Sequence, residues 1–233
     1  MRRPEHLVLA AAAAVTVAGA LTDRPALQRA AKPLIGPSLA VRVLRARADL
    51  SGTDTALLLA GLAAATVGDV YMLEPDDDAR IVQGASAFAA MHGAYSRVLR
   101  RHGARSHLAT ALPRLAASGG LGALLARRAP EVAAPLGAYG LTLSATSTLA
   151  ADPALAPAAP RLLGLPLPSR SDPRTWLAAG GLTFAASDAL VAVRRTVIAN
   201  GAGRSAAEGV VLASYVLAQL LLVEGMLELA RRK

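Results

Sequence analysis

Two aspartates stand where a charged side chain is costly. Asp69 lies in the apolar run from Thr55 to Leu73, and Asp188 lies in the run from Thr175 to Val193. Both runs have the length and composition of membrane-spanning helices, and a carboxylate at bilayer depth costs roughly 2.5–3.5 kcal/mol on insertion scales. Such residues usually face the interior of a helix bundle or a water-filled cavity. The two aspartates are therefore candidates for one buried polar site.

Other polar side chains lie in the apolar runs at helical spacing. His92 precedes Tyr95 by three positions and follows Phe88 by four, which places them on one helix face. Tyr215 and Gln219 are also four apart. A single histidine in an apolar helix is more often an interior hydrogen-bonding residue than a catalyst, and phenols and amides commonly join membrane helices. The sequence leaves structural and functional roles open for all of them.

Lys32 stands at the start of the second apolar run, where its long side chain can reach the membrane interface or meet a lipid phosphate. Ser187 directly precedes one of the two aspartates. The complete set of predicted substrate-binding residues is Lys32, His92, Tyr95, Ser187, Tyr215 and Gln219.

Composition excludes several classes of protein. The chain is 54% hydrophobic, above the ~45–50% of an average soluble domain, and only 3% aromatic. It has no cysteine, which excludes disulfides, thiolate metal sites and a cysteine nucleophile. The net charge is +9, but the basic residues fall in short connections and not on one helix face. No aromatic-rich basic platform accompanies them, so nucleic acid is not a predicted partner.

The alternation of apolar runs and short polar connections predicts an all-α fold, a polytopic membrane bundle of about eight transmembrane helices in one domain, 1–233. No stretch has the alternation of a strand. The first run also resembles a secretory signal peptide, and we favour a helix because similar runs follow along the chain. The proline-rich segment 151–173 predicts a linker without its own core. The predicted helices cover residues 7–22, 33–44, 55–73, 79–98, 107–126, 132–151, 175–193 and 205–229.

The basic residues also predict an orientation. With eight spans and a cytosolic N-terminus, the inner connections and termini, including Arg2, Arg3 and Lys233, carry more Lys and Arg than the outer ones. Arg194 and Arg195 argue the other way. We predict an integral protein of a bacterial-type plasma membrane, with both termini cytoplasmic.

That orientation places the two aspartates at matching depth. The helices that carry them start at the same membrane face, and each aspartate lies a few residues before its predicted helix end. At about 1.5 Å per residue, both carboxylates are predicted roughly 6–8 Å below one face. Two acids at equal depth are expected to share one cavity.

Five short motifs, taken together, resemble the YhhN family of membrane proteins, the lysoplasmalogenase family. The resemblance implies an eight-helix integral membrane fold, hydrolysis of the vinyl ether bond of lysoplasmalogens to a fatty aldehyde and a glycerophospho-amine, and catalysis by Asp69 and Asp188. It also implies a lysolipid substrate within the bilayer, beside ordinary membrane lipids. The motifs are Lys32-Pro33-Leu34, Gly68-Asp69, GxxxFxxxHxxY from Gly84 to Tyr95, FAASD from Phe184 to Asp188, and YVLAQ from Tyr215 to Gln219.

The chemistry of that reaction suits a pair of buried carboxyl groups. Protonation of the β-carbon of a vinyl ether gives an oxocarbenium ion, which water then attacks. The reaction needs one acid that stays protonated near neutral pH and a second carboxylate, and a desolvated carboxyl pair can divide these roles. No metal or other cofactor is required. Two alternatives stay open, namely a proton-coupled transporter that uses the same acids and a metal-dependent lipid hydrolase that adds His92 to them.

Overall fold

The computed structural model describes residues 4–74, 76–198 and 201–232, which are almost entirely helical. Arg2, Arg3 and Lys233 of the predicted orientation lie outside these ranges. Each of the eight predicted helices corresponds to an observed one, with ends shifted by no more than three residues. The helices are α1 (Pro4–Leu21), α2 (Pro25–Ala31), α3 (Ile35–Ala46), α4 (Gly52–Tyr71), α5 (Asp78–Arg101), α6 (Leu108–Arg128), α7 (Pro130–Ala150), α8 (Trp176–Thr196) and α9 (Ala202–Ala230).

Local signals in the sequence account for several helix ends. The Oγ of Ser51 accepts a hydrogen bond from the backbone N–H of Asp54 at 3.0 Å and caps α4. Asp77 caps α5 in the same way. At the other end of α5, Gly103 has φ +90°, a conformation that favours glycine, and the chain turns away there.

Two parts of the chain differ from their predictions. Residues 23–32 were predicted as a connection but contain the short helix α2, because Pro25 is pre-organised for a first helical turn. The proline-rich segment is an ordered cap: Arg161–Leu162 pairs with Leu165–Pro166 in a small antiparallel hairpin. The indole N–H of Trp176 also donates to the carbonyl of Ser169 at 2.6 Å. The fold is therefore all-helical except for this hairpin.

Asp152 holds this cap on the bundle. Its Oδ2 accepts a hydrogen bond from the backbone N–H of Arg105. Its Oδ1 accepts one from the backbone N–H of Ala154 and lies 3.3 Å from Nε2 of His107. Burial alone raises the pKa of Asp152, but these hydrogen bonds and the His107 ring hold that pKa below its usual value.

The long helices pack in a closed circuit. Going round it, α1 packs on α3, α3 on α4, α4 on α5, α5 on α7, α7 on α8, α8 on α9, and α9 on α1. The remaining long helix, α6, packs on the outside of this circuit against α7 and α8. A bundle of this kind places its interior polar residues between facing helices.

Four helices are long and apolar enough to cross a membrane by length and composition, namely α4, α6, α8 with the turn before it, and α9. The most exposed of the four is α6, whose Leu108 and Leu112 are 77% and 60% exposed. The other predicted spans do not reach this standard in the described part of the chain. In α7 the Ser, Thr and Gly residues lower the mean hydropathy, and α3 is only 12 residues long.

Close packing of α8 against its neighbours fixes the orientation of its polar face. A Cβ at Gly180 would lie 3.0 Å from Cγ of Leu222 on α9, and one at Gly181 would lie 3.0 Å from Cα of Ser147 on α7. The tight contacts leave α8 little freedom to rotate, so Asp188 is held toward the bundle interior.

Candidate functional site

Asp69 and Asp188 line one cavity of about 580 Å³ in the bundle. Residues of α4 to α9 form its walls, and α6 covers it on the outer side. This volume is in the range of small-molecule sites, which hold mostly apolar walls and a few converging polar groups. Apolar residues that line it include Phe88, Leu121, Leu125, Leu136, Leu143 and Phe184.

Asp69 is held by a chain of hydrogen bonds. Its carboxylate is fully buried, and Oδ2 accepts the phenol proton of Tyr215 at 2.8 Å. The side-chain amide of Gln219 donates to the Tyr215 oxygen at 3.3 Å and its carbonyl accepts the Tyr95 hydroxyl at 3.0 Å. Oδ1 of Asp69 has no hydrogen-bond partner among the described residues. One oxygen is thus anchored by the phenol, and the other is buried without a hydrogen bond from a described residue.

Asp188 has a matching arrangement on the other wall. The hydroxyl of Tyr139 on α7 donates to its Oδ2. Each carboxyl group is thus joined to a different tyrosine. The two acidic groups lie on the wall of one cavity.

The predicted equality of depth is not what the helix ends show. Asp69 lies two residues before the end of α4, and Asp188 lies eight residues before the end of α8. At 1.5 Å per residue these offsets are about 3 Å and about 12 Å. The difference arises because α8 continues to Thr196, past the basic pair Arg194–Arg195 that was expected to follow the helix.

One end of the cavity is strongly polar. Lys32 and Arg194 both line it although both are charged and buried, and Glu208 of α9 lies beside them. Nζ of Lys32 donates to the carbonyl of Met72 at 3.2 Å, and Nε of Arg194 lies 3.2 Å from a carboxylate oxygen of Glu208. This end is formed where α4 stops and α8 and α9 meet.

The predicted site residues divide into two groups. Lys32, Asp69, Ser187, Asp188 and Tyr215 line the cavity, whereas His92, Tyr95 and Gln219 do not. The Ser187 hydroxyl is used within the bundle, where it donates to the carbonyl of Val211 at 3.0 Å.

The three residues outside the cavity lie behind its wall. The His92 ring packs edge-on against Phe184, with ring centroids 4.7 Å apart, and neither of its nitrogens has a hydrogen-bond partner in the described ranges. Tyr95 and Gln219 belong to the hydrogen-bond chain that ends on Asp69. Their positions suit residues that orient the cavity wall more than residues that touch a substrate.

Most residues that line the cavity were not predicted for the site, and among the polar ones are Arg114, Tyr139, Arg194 and Glu208. Tyr139 is separated from Asp188 by 49 positions, so no local pattern joins them. Arg194 was assigned to a connection because it precedes a turn. The signal available in the sequence was Glu208, a carboxylate between apolar residues of the last helix.

A metal site would need several donor side chains close together. Over residues 4–74, 76–198 and 201–232, no three His, Asp or Glu side chains come together as a metal would need. His92 points its ring at aromatic neighbours. No observation thus favours the metal-dependent alternative.

Comparison with known proteins gives one match. The model of the YhhN family matches residues 27–226, which include both aspartates and every residue of the predicted site. Neither a curated protein nor a solved structure matches the chain.

Proposed function

The chain belongs to the YhhN family, and from that premise we propose that it is a lysoplasmalogenase-type membrane hydrolase. Its reaction is hydrolysis of the vinyl ether bond of a lysoplasmalogen, an alkenyl-glycerophosphocholine or -ethanolamine, to a fatty aldehyde and a glycerophospho-amine. The observation that carries the proposal is the placement of Asp69 and Asp188 on one apolar cavity inside the bundle.

The cavity suits a lysolipid in shape and polarity. Its walls are mostly apolar, as an alkenyl chain requires, and its lysine–arginine end offers cations to a polar head. The wall formed by α6 has little cover from other helices, so the chain of a lipid can enter from the bilayer side. A lipid with its head at the polar end brings the vinyl ether next to the acidic groups.

The reaction divides into proton addition and hydration. One aspartic acid donates its proton to the β-carbon of the vinyl ether, and the C=C electron pair forms the new C–H bond. This leaves an oxocarbenium ion, which the second carboxylate stabilises while it removes a proton from the attacking water. The resulting hemiacetal loses its hydroxyl proton, the glycerol oxygen gains one, and the C–O bond breaks to give aldehyde and alcohol. One water is consumed and both carboxyl groups return to their starting protonation states.

The tyrosines orient the two acids. Tyr215 and Tyr139 each donate to Oδ2 of one aspartate, so each carboxyl group is tied to a neighbouring helix through one oxygen. Hydrogen bonds to a charged partner are among the stronger ones in proteins. They hold each carboxyl group in a fixed direction before the substrate arrives.

The test is product analysis with the purified protein in detergent. We expect aldehyde from a lysoplasmalogen, and no product from a 1-O-alkyl lysolipid with the same chain and head. A 1-acyl lysolipid distinguishes an esterase, which would release fatty acid. Failure to release aldehyde, together with proton-coupled flux in liposomes, would contradict the hydrolase and favour the transporter.

A further inference from the structure

Two buried basic side chains, Lys32 and Arg194, line the cavity together with the carboxylates of Asp69 and Glu208. Lys32 is 5% exposed and Arg194 is 4% exposed. Within the described ranges Lys32 makes no ion pair, and its ammonium donates only to the carbonyl of Met72. Arg194 has one carboxylate near it, Glu208, yet its Nε is left without a hydrogen bond to any described residue. Burying a cation is costly unless an anion and hydrogen bonds compensate for it.

A second, smaller cavity of about 190 Å³ continues from this point. Arg194 and Glu208 line both cavities, so their ion pair stands at the junction. The second cavity is polar and lies where the ends of α1, α4 and α8 meet the start of α9. Its walls carry Asp23 and the ion pair of Arg204 with Asp76. Carboxylates therefore lie beyond the Arg194–Glu208 pair, and one of them is already paired with Arg204.

We propose that Lys32 and Arg194 form a phosphate subsite that binds the phosphodiester of the substrate head, with the amine directed toward the second cavity. This inference rests on the proposed function and names the lipid class that its site accepts. A guanidinium binds phosphate with paired N–H groups, and lysine adds a point charge. In a lysoplasmalogen only the glycerol backbone separates the phosphate from the vinyl ether. Lys32 and Asp69 line the same cavity, so a head held at Lys32 keeps the vinyl ether in the cavity of that acid.

The positive charge of Lys32 also allows a competing explanation of its burial in the cavity. Lys32 could serve only as the counter-charge of Asp69, with no contact to the substrate. In that case its removal would disturb catalysis on any vinyl ether, whether or not the lipid carries a phosphate. A phosphate subsite instead affects only lipids that carry the phosphate. The two explanations are separated by a neutral lipid with the same reactive bond.

The experiment compares two matched pairs of lipids. Aldehyde release is measured with a lysoplasmalogen and with the corresponding 1-O-alkenylglycerol, which has no phosphate. Binding is measured separately with two lipids that cannot be hydrolysed, a 1-O-alkyl-glycerophosphoethanolamine and a 1-O-alkylglycerol. The variants are Lys32→Gln and Arg194→Lys. The second substitution keeps a positive charge facing Glu208. Arg80→Gln is the control, because Arg80 stands at the start of α5 and lines neither cavity.

We expect each variant to weaken binding of the phospholipid, and to raise its KM, by about 10- to 100-fold, as for a lost charge-assisted hydrogen bond. Binding and turnover of the neutral lipid should change less than about twofold, and Arg80→Gln should match the wild type. Thermal unfolding of each variant shows whether it is folded. If Lys32→Gln does not fold, Arg194→Lys alone tests the phosphate subsite.

Three results would overturn the subsite. If the Lys32 variant loses activity equally on the phospholipid and on the neutral lipid, Lys32 is the counter-charge of Asp69 and not a phosphate ligand. If the wild type binds both lipids equally well, the phosphate has no role in binding. Stabilisation by inorganic phosphate alone as strong as that by the phospholipid would make this a site for a free anion. The binding measurements also separate the two proposals. If the protein prefers the phospholipid but hydrolyses no lipid, the phosphate subsite stands and only the proposed hydrolase activity is contradicted.

Discussion

The hydrogen bond from Tyr215 to Asp69 predicts a specific loss of activity. Tyr215→Phe removes only the hydroxyl, which donates to Asp69 Oδ2 at 2.8 Å in a fully buried setting. A hydrogen bond to a charged group contributes about 1.5–3 kcal/mol. If this stabilisation is lost from the transition state, kcat falls by about 10- to 150-fold. Tyr95 lies two hydrogen bonds further from the acid, so Tyr95→Phe should lower kcat by less than about tenfold.

Aldehyde release under single-substrate kinetics tests this prediction, with kcat and KM determined separately. We expect kcat to fall while KM stays within about twofold, because the hydroxyl orients an acid and does not hold the lipid. The matched control is Tyr71→Phe, since Tyr71 lies two residues from Asp69 on α4 but lines neither cavity. Full activity in Tyr215→Phe, or an equal loss in Tyr71→Phe, would refute the reasoning.

Two further predictions concern stability. Arg42 and Glu224 form a buried two-point ion pair between α3 and α9, with N–O distances of 2.8 and 3.1 Å, so Arg42→Ala should reduce the free energy of unfolding by about 3–5 kcal/mol. Denaturant titration measures it, and a loss below about 1 kcal/mol would contradict the pair's role. The pKa of Asp152 is lower in the folded protein than in the unfolded chain. Its carboxylate therefore contributes fully to the free energy of unfolding above the ordinary pKa of about 3.9, and this contribution is lost as the pH falls through the folded-state pKa. Thermal unfolding of wild type and Asp152→Asn should therefore differ at neutral pH and converge in acid, and parallel curves would contradict this.

The helices could be predicted because their signals are local. Apolar runs of the right length, capping residues such as Ser51 and Asp77, and glycine at Gly103 lie next to the boundaries that they set. The predicted and observed helix ends differ where residues far apart in the sequence make contact. Arg194 lies in the last turns of α8 and meets Glu208 on the following helix, a contact that no pattern within α8 shows.

The site was predictable to the extent that a buried charge is unusual in itself. Asp69 and Asp188 stand out in apolar sequence, whereas Tyr139 becomes significant only after α7 packs beside α8. His92 and Tyr95 were predicted to share one face of α5 and to bind substrate; both are buried, but neither lines the cavity. Periodicity tells which residues share a face and not which neighbour that face meets.

The most direct test of the account is aldehyde release by Asp69→Asn and Asp188→Asn. Each substitution keeps size and polarity but removes the proton transfer that the mechanism needs, so we expect each to reduce turnover of a lysoplasmalogen by at least about 10³-fold while the protein remains inserted and folded. Asp77→Asn is the control, because asparagine also caps a helix and Asp77 does not line the cavity. Aldehyde release near the wild-type rate in either cavity variant would contradict the claim that these two acids perform the reaction.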